Sequence, residues 1–229
     1  MKRMPDPDDH CPIQAFIFDM DETLARTGPI WRDAEEHLLS KLRTTWSPRL
    51  AEKYKGMNAL DVAATIHEEV QPSISRSDCR QIMRRRLIDN FNQAEIHEVE
   101  HACDLVQRCG AVGAPMVVAS GSPAEAIELT LQALGIREQF RFTISSERVA
   151  RGKPHPDVFL AAAEELSVPP GACLVFEDSL IGAQAARAAH MRCVVKPSLP
   201  NPQISSVATQ TVSDWAKVDL DSFRFAEYP

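Results

Sequence analysis

No stretch of this 229-residue chain approaches the roughly 18 consecutive apolar residues that a membrane-spanning helix needs. The opening residues, MKRMPDPDDH, hold no apolar h-region, so no secretory signal is expected and the protein reads as cytoplasmic. A long basic block is also missing, and the formal net charge is −7. That field argues against nucleic acid or an anionic membrane surface as a main partner, because both are polyanions. An anionic small molecule remains possible where a local cation overrides the global charge. Six cysteines are present, Cys11, Cys79, Cys103, Cys109, Cys173 and Cys193, but they form no C-x-x-C pair and no zinc-ribbon spacing. Reduced thiols in a cytosolic protein are the expectation. There is no internal repeat and no low-complexity tract, and a hydrophobic content of 44% is that of a folded globular chain.

What is there divides into two textures. A first strand is predicted over residues 13–19, IQAFIFD. Residues 29 to 94 are helical throughout. WRDAEEHLLSKL places apolar residues at 31, 34, 38, 39 and 42, while ALDVAATIHEEV and RSDCRQIMRRRLIDNF carry the same spacing. Ser77 with Asp78 is the candidate start of the last of these. From about Ile96 strands and helices alternate. PMVVASG precedes PAEAIELTLQALG, FTISSE precedes PDVFLAAAEELS, ACLVFED precedes IGAQAARAAH, and RCVVK follows. A final helix is expected near residues 213–217. Such alternation specifies a parallel sheet with helices on both faces. The predicted architecture is α/β: a doubly wound, Rossmann-like parallel sheet core of residues 1–26 and 96–229, with an all-helical cap of residues 27–95 inserted after the first strand.

In open parallel sheets, ligands bind beyond the carboxyl ends of the strands. Three predicted strands end in polar clusters: Asp19 to Thr23, Ser120 to Ser122, and Glu177 to Ser179. A fourth cluster, GKPHPD, brings Lys153 in a loop before a helix. Paired carboxylates at the end of a buried strand call for something that neutralises or uses them. Phosphoryl transfer does both. Its main demand is charge stabilisation on the peripheral oxygens, which Lys153, Ser120 and nearby amides can meet, with Gly121 and Gly152 allowing close backbone approach. Asp19, Glu177 and Asp178 are hard oxygen ligands suited to Mg²⁺. One aspartate can attack phosphorus, and the other can protonate the leaving oxygen and then activate water.

These motifs together resemble the haloacid dehalogenase superfamily, in its phosphatase and β-phosphoglucomutase-like branch. The D-x-D-x-T motif stands as Asp19-Met20-Asp21-Glu22-Thr23, the serine motif as VVASGS, the lysine motif as GKPHPD and the acidic motif as VFEDSLIGAQAA, in the family's order. The resemblance implies a Mg²⁺-dependent hydrolase of a small phosphorylated metabolite, acting as a monomer through an aspartyl-phosphate intermediate. It implies that Asp19 is the nucleophile and a metal ligand, and that Asp21 is the general acid/base with its carbonyl on the metal. Ser120, the Gly121 amide and Lys153 would hold the phosphoryl group. Asp178 would complete the metal site, with Glu177 binding or supporting the ion. Two positions depart from the pattern: Glu22 and His190 stand where glycine is common.

Other readings compete. HEVEH, His97 to His101, matches the zinc-hydrolase pattern H-E-x-x-H, but without a downstream H-x-x-G-x-x-H extension a charged surface helix is expected there. A sugar phosphomutase needs a cap arginine soon after Lys55-Gly56, and none follows before Arg76. A catalytically silent binding module would have no use for the complete acid set. Trp31, Trp46, Met57 and Met83 are expected mainly to pack, while Arg26, Trp31, Lys55 and Asn58 are candidate substrate contacts that no spacing rule assigns.

Overall fold

A computed structural model of the chain describes residues 11–227 apart from 52, 55 and 56. Lys55 and Gly56, on which the mutase comparison turned, lie outside the described residues. Six parallel strands form one sheet in the order β3-β2-β1-β4-β5-β6. They are β1 (Ala15–Phe18), β2 (Met116–Ser120), β3 (Phe142–Ser145), β4 (Cys173–Glu177), β5 (Arg192–Val195) and β6 (Gln210–Thr211). The strands alternate faces with period two. Phe16, Phe18, Leu174 and Phe176 enter one apolar cluster, while Ala15, Ile17, Cys173 and Val175 enter the other. The aromatic face is covered by α5 (Ala102–Ala111) and α6 (Ala124–Ala133), and by Trp215 from the tail. The small-residue face is covered by α7 (Asp157–Leu166) and α8 (Leu180–Ala188). Among the described residues no helix is long and apolar enough to cross a membrane.

Between β1 and α5 run four helices: α1 (Gly28–Lys41), α2 (Pro48–Ala51), α3 (Ala59–Val70) and α4 (Arg76–Gln93). Their starts are chemically marked. Asn58 caps α3 by accepting from the Asp61 amide, and Ser75 with Asp78 forms a capping box on α4. The cap of α4 is thus Ser75, two residues before the expected Ser77. Ser75 precedes an acidic residue by three, and that reciprocal pair outweighs the nearer serine. Arg84 of α4 joins this layer to the rest by pairing with Glu125 of α6 and with Glu147.

The HEVEH stretch is not a helix. Glu98 bridges Ala25 in antiparallel fashion, Val99 donates to the Leu24 carbonyl, and His97 accepts from the Arg26 amide. The returning chain therefore pairs with the departing one. This pairing overrides the helical spacing, and α5 begins only after His101, whose φ is 61°. The two histidines are not one helical turn apart, so the zinc-hydrolase geometry is not formed. At the tail, the helix expected near residue 213 is a short 3₁₀ turn over Trp215–Lys217, and β6 was not foreseen because two residues carry no periodicity. The expected first strand also shortens to Ala15–Phe18, with Ile13 making only an isolated bridge to Phe225.

The two departures at glycine positions are absorbed by local hydrogen bonds. His190 takes φ 58° at the end of α8, where its amide bonds to Arg187 and that of Met191 bonds back to Ala186. This is a Schellman closure with histidine in the place of glycine. Glu22 takes φ 60°, and its carboxylate accepts from the Gly28 amide at 2.7 Å, at the first turn of α1.

His101 donates from Nδ1 to Asp214 at 2.7 Å, tying the start of α5 to the tail. The bond from Asp214 holds His101 above the usual 6.5, and Asp214 is held below 3.8 by the Ala216 amide and then by His101. The contribution of His101 is therefore complete below pH 6.5 and lost as pH rises through its raised value. That of Asp214 is present above pH 3.8 and lost below it. His101→Gln is expected to lower the melting temperature slightly near pH 6, with the gap closing towards pH 9. A gap that widens with pH in thermal scans would contradict this pairing.

Candidate active site

The register places the site. Phe18 pairs with Val118 on one side and Phe176 on the other, so Asp19, Ser120 and Glu177 emerge together where the strand order reverses. Lys153 enters from the loop before α7. Its ammonium donates to Asp19 Oδ1 at 2.6 Å and to Glu177 Oε1 at 2.7 Å, and lies 4.9 Å from the Phe159 ring centroid. All three charged groups are buried, with exposures of 4%, 5% and 1% for Lys153, Asp19 and Glu177.

Burial and charge compete at each group. Burial disfavours the Lys153 ammonium, but Asp19 and Glu177 together hold it above the usual lysine range. Burial would raise Glu177 as well. The Lys153 charge, with hydrogen bonds from Lys153 and Ser179, outweighs burial and holds Glu177 below the usual range. Its second oxygen accepts from the Asp178 amide at 2.8 Å and from the Ser179 amide and hydroxyl at 2.9 Å. Asp19 is pushed up to about 7, chiefly by burial, with Glu177 and Asp21 adding to it against the pull of Lys153. Asp178 is raised well above the ordinary value by burial and by the charges of Glu177 and Asp19.

The carboxylates outnumber the lysine, and one of them is incomplete. Asp19 Oδ2 is buried without a hydrogen-bond partner among the described residues. Oxygens from Asp19, Glu177 and Asp178 lie within 4.8 Å of one another. A small, hard dication fits this donor set. Asp19 and Asp178 can contribute oxygens to hold it. Glu177, expected to bind or support the ion, accepts from Lys153 on one oxygen and from the turn that starts α8 on the other.

Asp21 is half-buried and accepts four hydrogen bonds. Thr27 Oγ1 (2.7 Å) and Trp31 Nε1 (2.8 Å) donate to Oδ1, and Ser120 Oγ (3.0 Å) and Ser122 Oγ (2.9 Å) donate to Oδ2. Ser120 thus faces Asp21 here, and the Gly121 backbone lines the cavity above. The cavity encloses about 400 Å³ between the strand ends and the helical layer. Its helical wall includes Trp46 and Met57, which were expected to pack, and Trp31, which was read both as packing and as a candidate contact; Met83 is fully buried as expected. Asn58 sits against Gly121 and Gly152, close enough that a side-chain carbon at Gly152 would lie 2.1 Å from its Nδ2. Arg26 is exposed and does not line the cavity.

Sequence reasoning missed Thr27 and Gly182, and it placed Ser122 and Ser179 in the strand-end clusters without giving them a role. A side-chain carbon at Gly182 would lie 1.7 Å from Glu177 Oε1, so the carboxylate rests directly on the first turn of α8. The pattern of Ser179, whose hydroxyl accepts from the Gly182 amide at 3.1 Å, with glycine three residues on was the available signal. Gly182→Ala is expected to displace Glu177 from Lys153 and to destabilise the chain by about 1–3 kcal/mol, the usual range for overpacking. Urea titration measures this, and an unchanged midpoint would contradict the contact.

Comparison with known proteins gives the family and the likeness of fold. Residues 13–190 match the profile of the haloacid dehalogenase-like hydrolases. The bifunctional riboflavin kinase/FMN phosphatase of Arabidopsis thaliana is 31% identical over 195 residues, 80% of this chain, although the chain spans only 48% of that relative's length. Hexitol phosphatase B of Escherichia coli is 30% identical over 219 residues, covering 88% of this chain and 96% of the relative. A solved structure of CbbY from Rhodobacter sphaeroides in complex with xylulose-(1,5)bisphosphate superposes with a TM-score of 0.80 at 24% identity, over 93% of this chain and 100% of the other, which establishes the likeness of fold. The chain belongs to the haloacid dehalogenase-like hydrolase family.

Proposed function

We propose that this hydrolase cleaves a small phosphomonoester by passing the phosphoryl group through Asp19, with Mg²⁺ held by Asp19 and Asp178. The observation that carries the reading is the asymmetry of Asp19: Lys153 fixes Oδ1, while Oδ2 is buried beside the cavity with no partner. A carboxylate pinned by one oxygen presents the other for attack, as covalent catalysis requires, and the ion would then be held through Oδ1. When bound, Mg²⁺ would offset the crowded carboxylates and the phosphoryl charge. Asp178, next to Glu177 on the same turn, is the natural second ligand. Glu177 acts through Lys153, which it holds in line with Asp19.

Asp21 is proposed to move the proton. Its donors differ in kind. Trp31 can only donate, so Oδ1 always meets an N–H. The serine hydroxyls at Oδ2 can turn and accept. A proton on this carboxyl therefore goes to Oδ2, on the side of Ser120. Ser120 and the Gly121 amide are proposed to hold the phosphoryl oxygens once Ser120 turns from Asp21. The helices α1 to α4 are proposed to act as a lid over the cavity, which excludes water and selects the leaving group. The names of the relatives support hydrolysis of phosphomonoesters but differ in the molecule they name, a hexitol in one and FMN in the other.

The two aspartates are separable with an activated aryl phosphate, which needs little help from an acid to leave. Asp19→Asn is expected to lose turnover and any phosphoprotein adduct. Asp21→Asn is expected to release up to one equivalent of aryl alcohol and then slow by about 10²–10⁴-fold, the usual worth of general-base assistance. Rapid mixing with intact mass measures both, and excess chelator is expected to abolish the burst. An adduct on Asp19→Asn, or undiminished steady turnover in Asp21→Asn, would reverse the assignment.

A further inference from the structure

The cavity has a charged floor and an aromatic far wall. Trp31 and Glu35 stand four residues apart on α1, so they share a face about 6 Å apart along the axis. The indole of Trp31 is fixed by its bond to Asp21, which places its ring at the point where a leaving group departs. One turn further, Glu35 Oε2 accepts from Trp46 Nε1 at 3.0 Å and from the Tyr54 hydroxyl at 3.1 Å. Glu35 thereby draws two aromatic side chains from the next segment onto the same wall. Its other oxygen accepts no hydrogen bond among the described residues. The Arg32 guanidinium, which also lines the cavity, is stacked 3.1 Å from the centre of the Trp46 ring and lies 3.8 Å from Glu36, so this cation is drawn to the Trp46 ring of the wall rather than into the space beside Glu35. Burial raises the Glu35 carboxyl despite the bonds from Trp46 and Tyr54, which marks a place partly withdrawn from water.

The geometry points to a leaving group of defined chemistry: an uncharged ring that carries outward hydroxyl or N–H donors. The ring face lies along the indoles of Trp31 and Trp46, and a donor reaches Glu35. Aromatic faces reward flat or ring-shaped partners and give an extended chain little to rest on. An open-chain polyol offers donors but must also freeze its torsions. A second anionic group would meet the Glu35 carboxylate. The chain is accordingly selective for phosphomonoesters of cyclic, uncharged alcohols over open-chain and bisphosphorylated counterparts. This rests on the hydrolase reading above and narrows its substrate. A pyranose and a nucleoside share the required chemistry.

The test uses the full chain with Mg²⁺ and measures kcat/KM from phosphate release. The substrates are an aldohexose 6-phosphate, a nucleoside 5′-monophosphate, the matching hexitol 6-phosphate, a hexose bisphosphate and acetyl phosphate. At least one cyclic monophosphate is expected to exceed both the hexitol phosphate and the bisphosphate by about tenfold or more, within the range that pocket contacts discriminate. The better of the two cyclic substrates identifies the source. Trp46→Ala is expected to cut the margin over the hexitol phosphate by about tenfold through KM, and Trp46→Phe to keep it within about threefold. Glu35→Gln is expected to narrow the margin over the bisphosphate by about tenfold. Each margin is a ratio within one preparation, so partial misfolding cancels. A hexitol phosphate or bisphosphate that matches both cyclic substrates, or margins unmoved in the variants, would overturn the inference while leaving the hydrolase reading intact. No phosphate release from any substrate, acetyl phosphate included, would overturn both.

Discussion

Lys153 carries a positive charge into a place from which water is almost entirely shut out. Two carboxylates meet it there at 2.6 and 2.7 Å. Such groups are costly to bury alone and are tolerated only with good geometry and satisfied remaining lone pairs. Glu177 meets that condition, since both of its oxygens accept, one from Lys153 and the other from the turn that opens α8. Asp19 does not, and its second oxygen is left without a partner. The contrast between a saturated carboxylate and an unsaturated one, on either side of a single ammonium, organises the site.

The sheet makes that contrast possible. Asp19 and Glu177 follow adjacent strands in register, and Lys153 is brought over them by the loop that enters α7. The helical layer completes the other side. Trp31 holds Asp21 from above while Ser120 and Ser122 hold it from below, so one carboxylate links the helices to the strand ends. Arg84, paired with Glu125 and Glu147, ties the far side of the same layer down. Fold and site are therefore coupled at two points rather than joined by a passive hinge.

Much of this was legible in the sequence because its signals are local. The strands end in acids or serine, the helices repeat apolar residues at helical spacing, and VFEDS and GKPHPD stand in order. What was not legible depends on partners distant in the chain. HEVEH reads as a helix until Ala25 and Leu24 pair with it. Trp31 and Trp46 read as packing until Asp21 and Glu35, 10 and 11 residues away, accept from their indoles. Glu177 reads from its motif as binding or supporting the ion, and its bonds to Lys153 and to the start of α8 appear only in the fold. The positive φ at Glu22 and His190 was flagged by the absence of glycine, but not the bonds that accommodate it.

The dependence of the buried acids on Lys153 is measured most directly by equilibrium unfolding of Lys153→Met, Glu177→Gln and the double variant in the same buffer. Removing the lysine alone leaves uncompensated buried charge and is expected to cost about 3–5 kcal/mol. Neutralising Glu177 as well removes part of that charge. The double variant is therefore expected to be more stable than Lys153→Met by about 1 kcal/mol or more, a coupling of the size found between contacting residues. Additive losses, with the double variant the least stable of the three, would contradict the proposal that Lys153 holds the acidic site together.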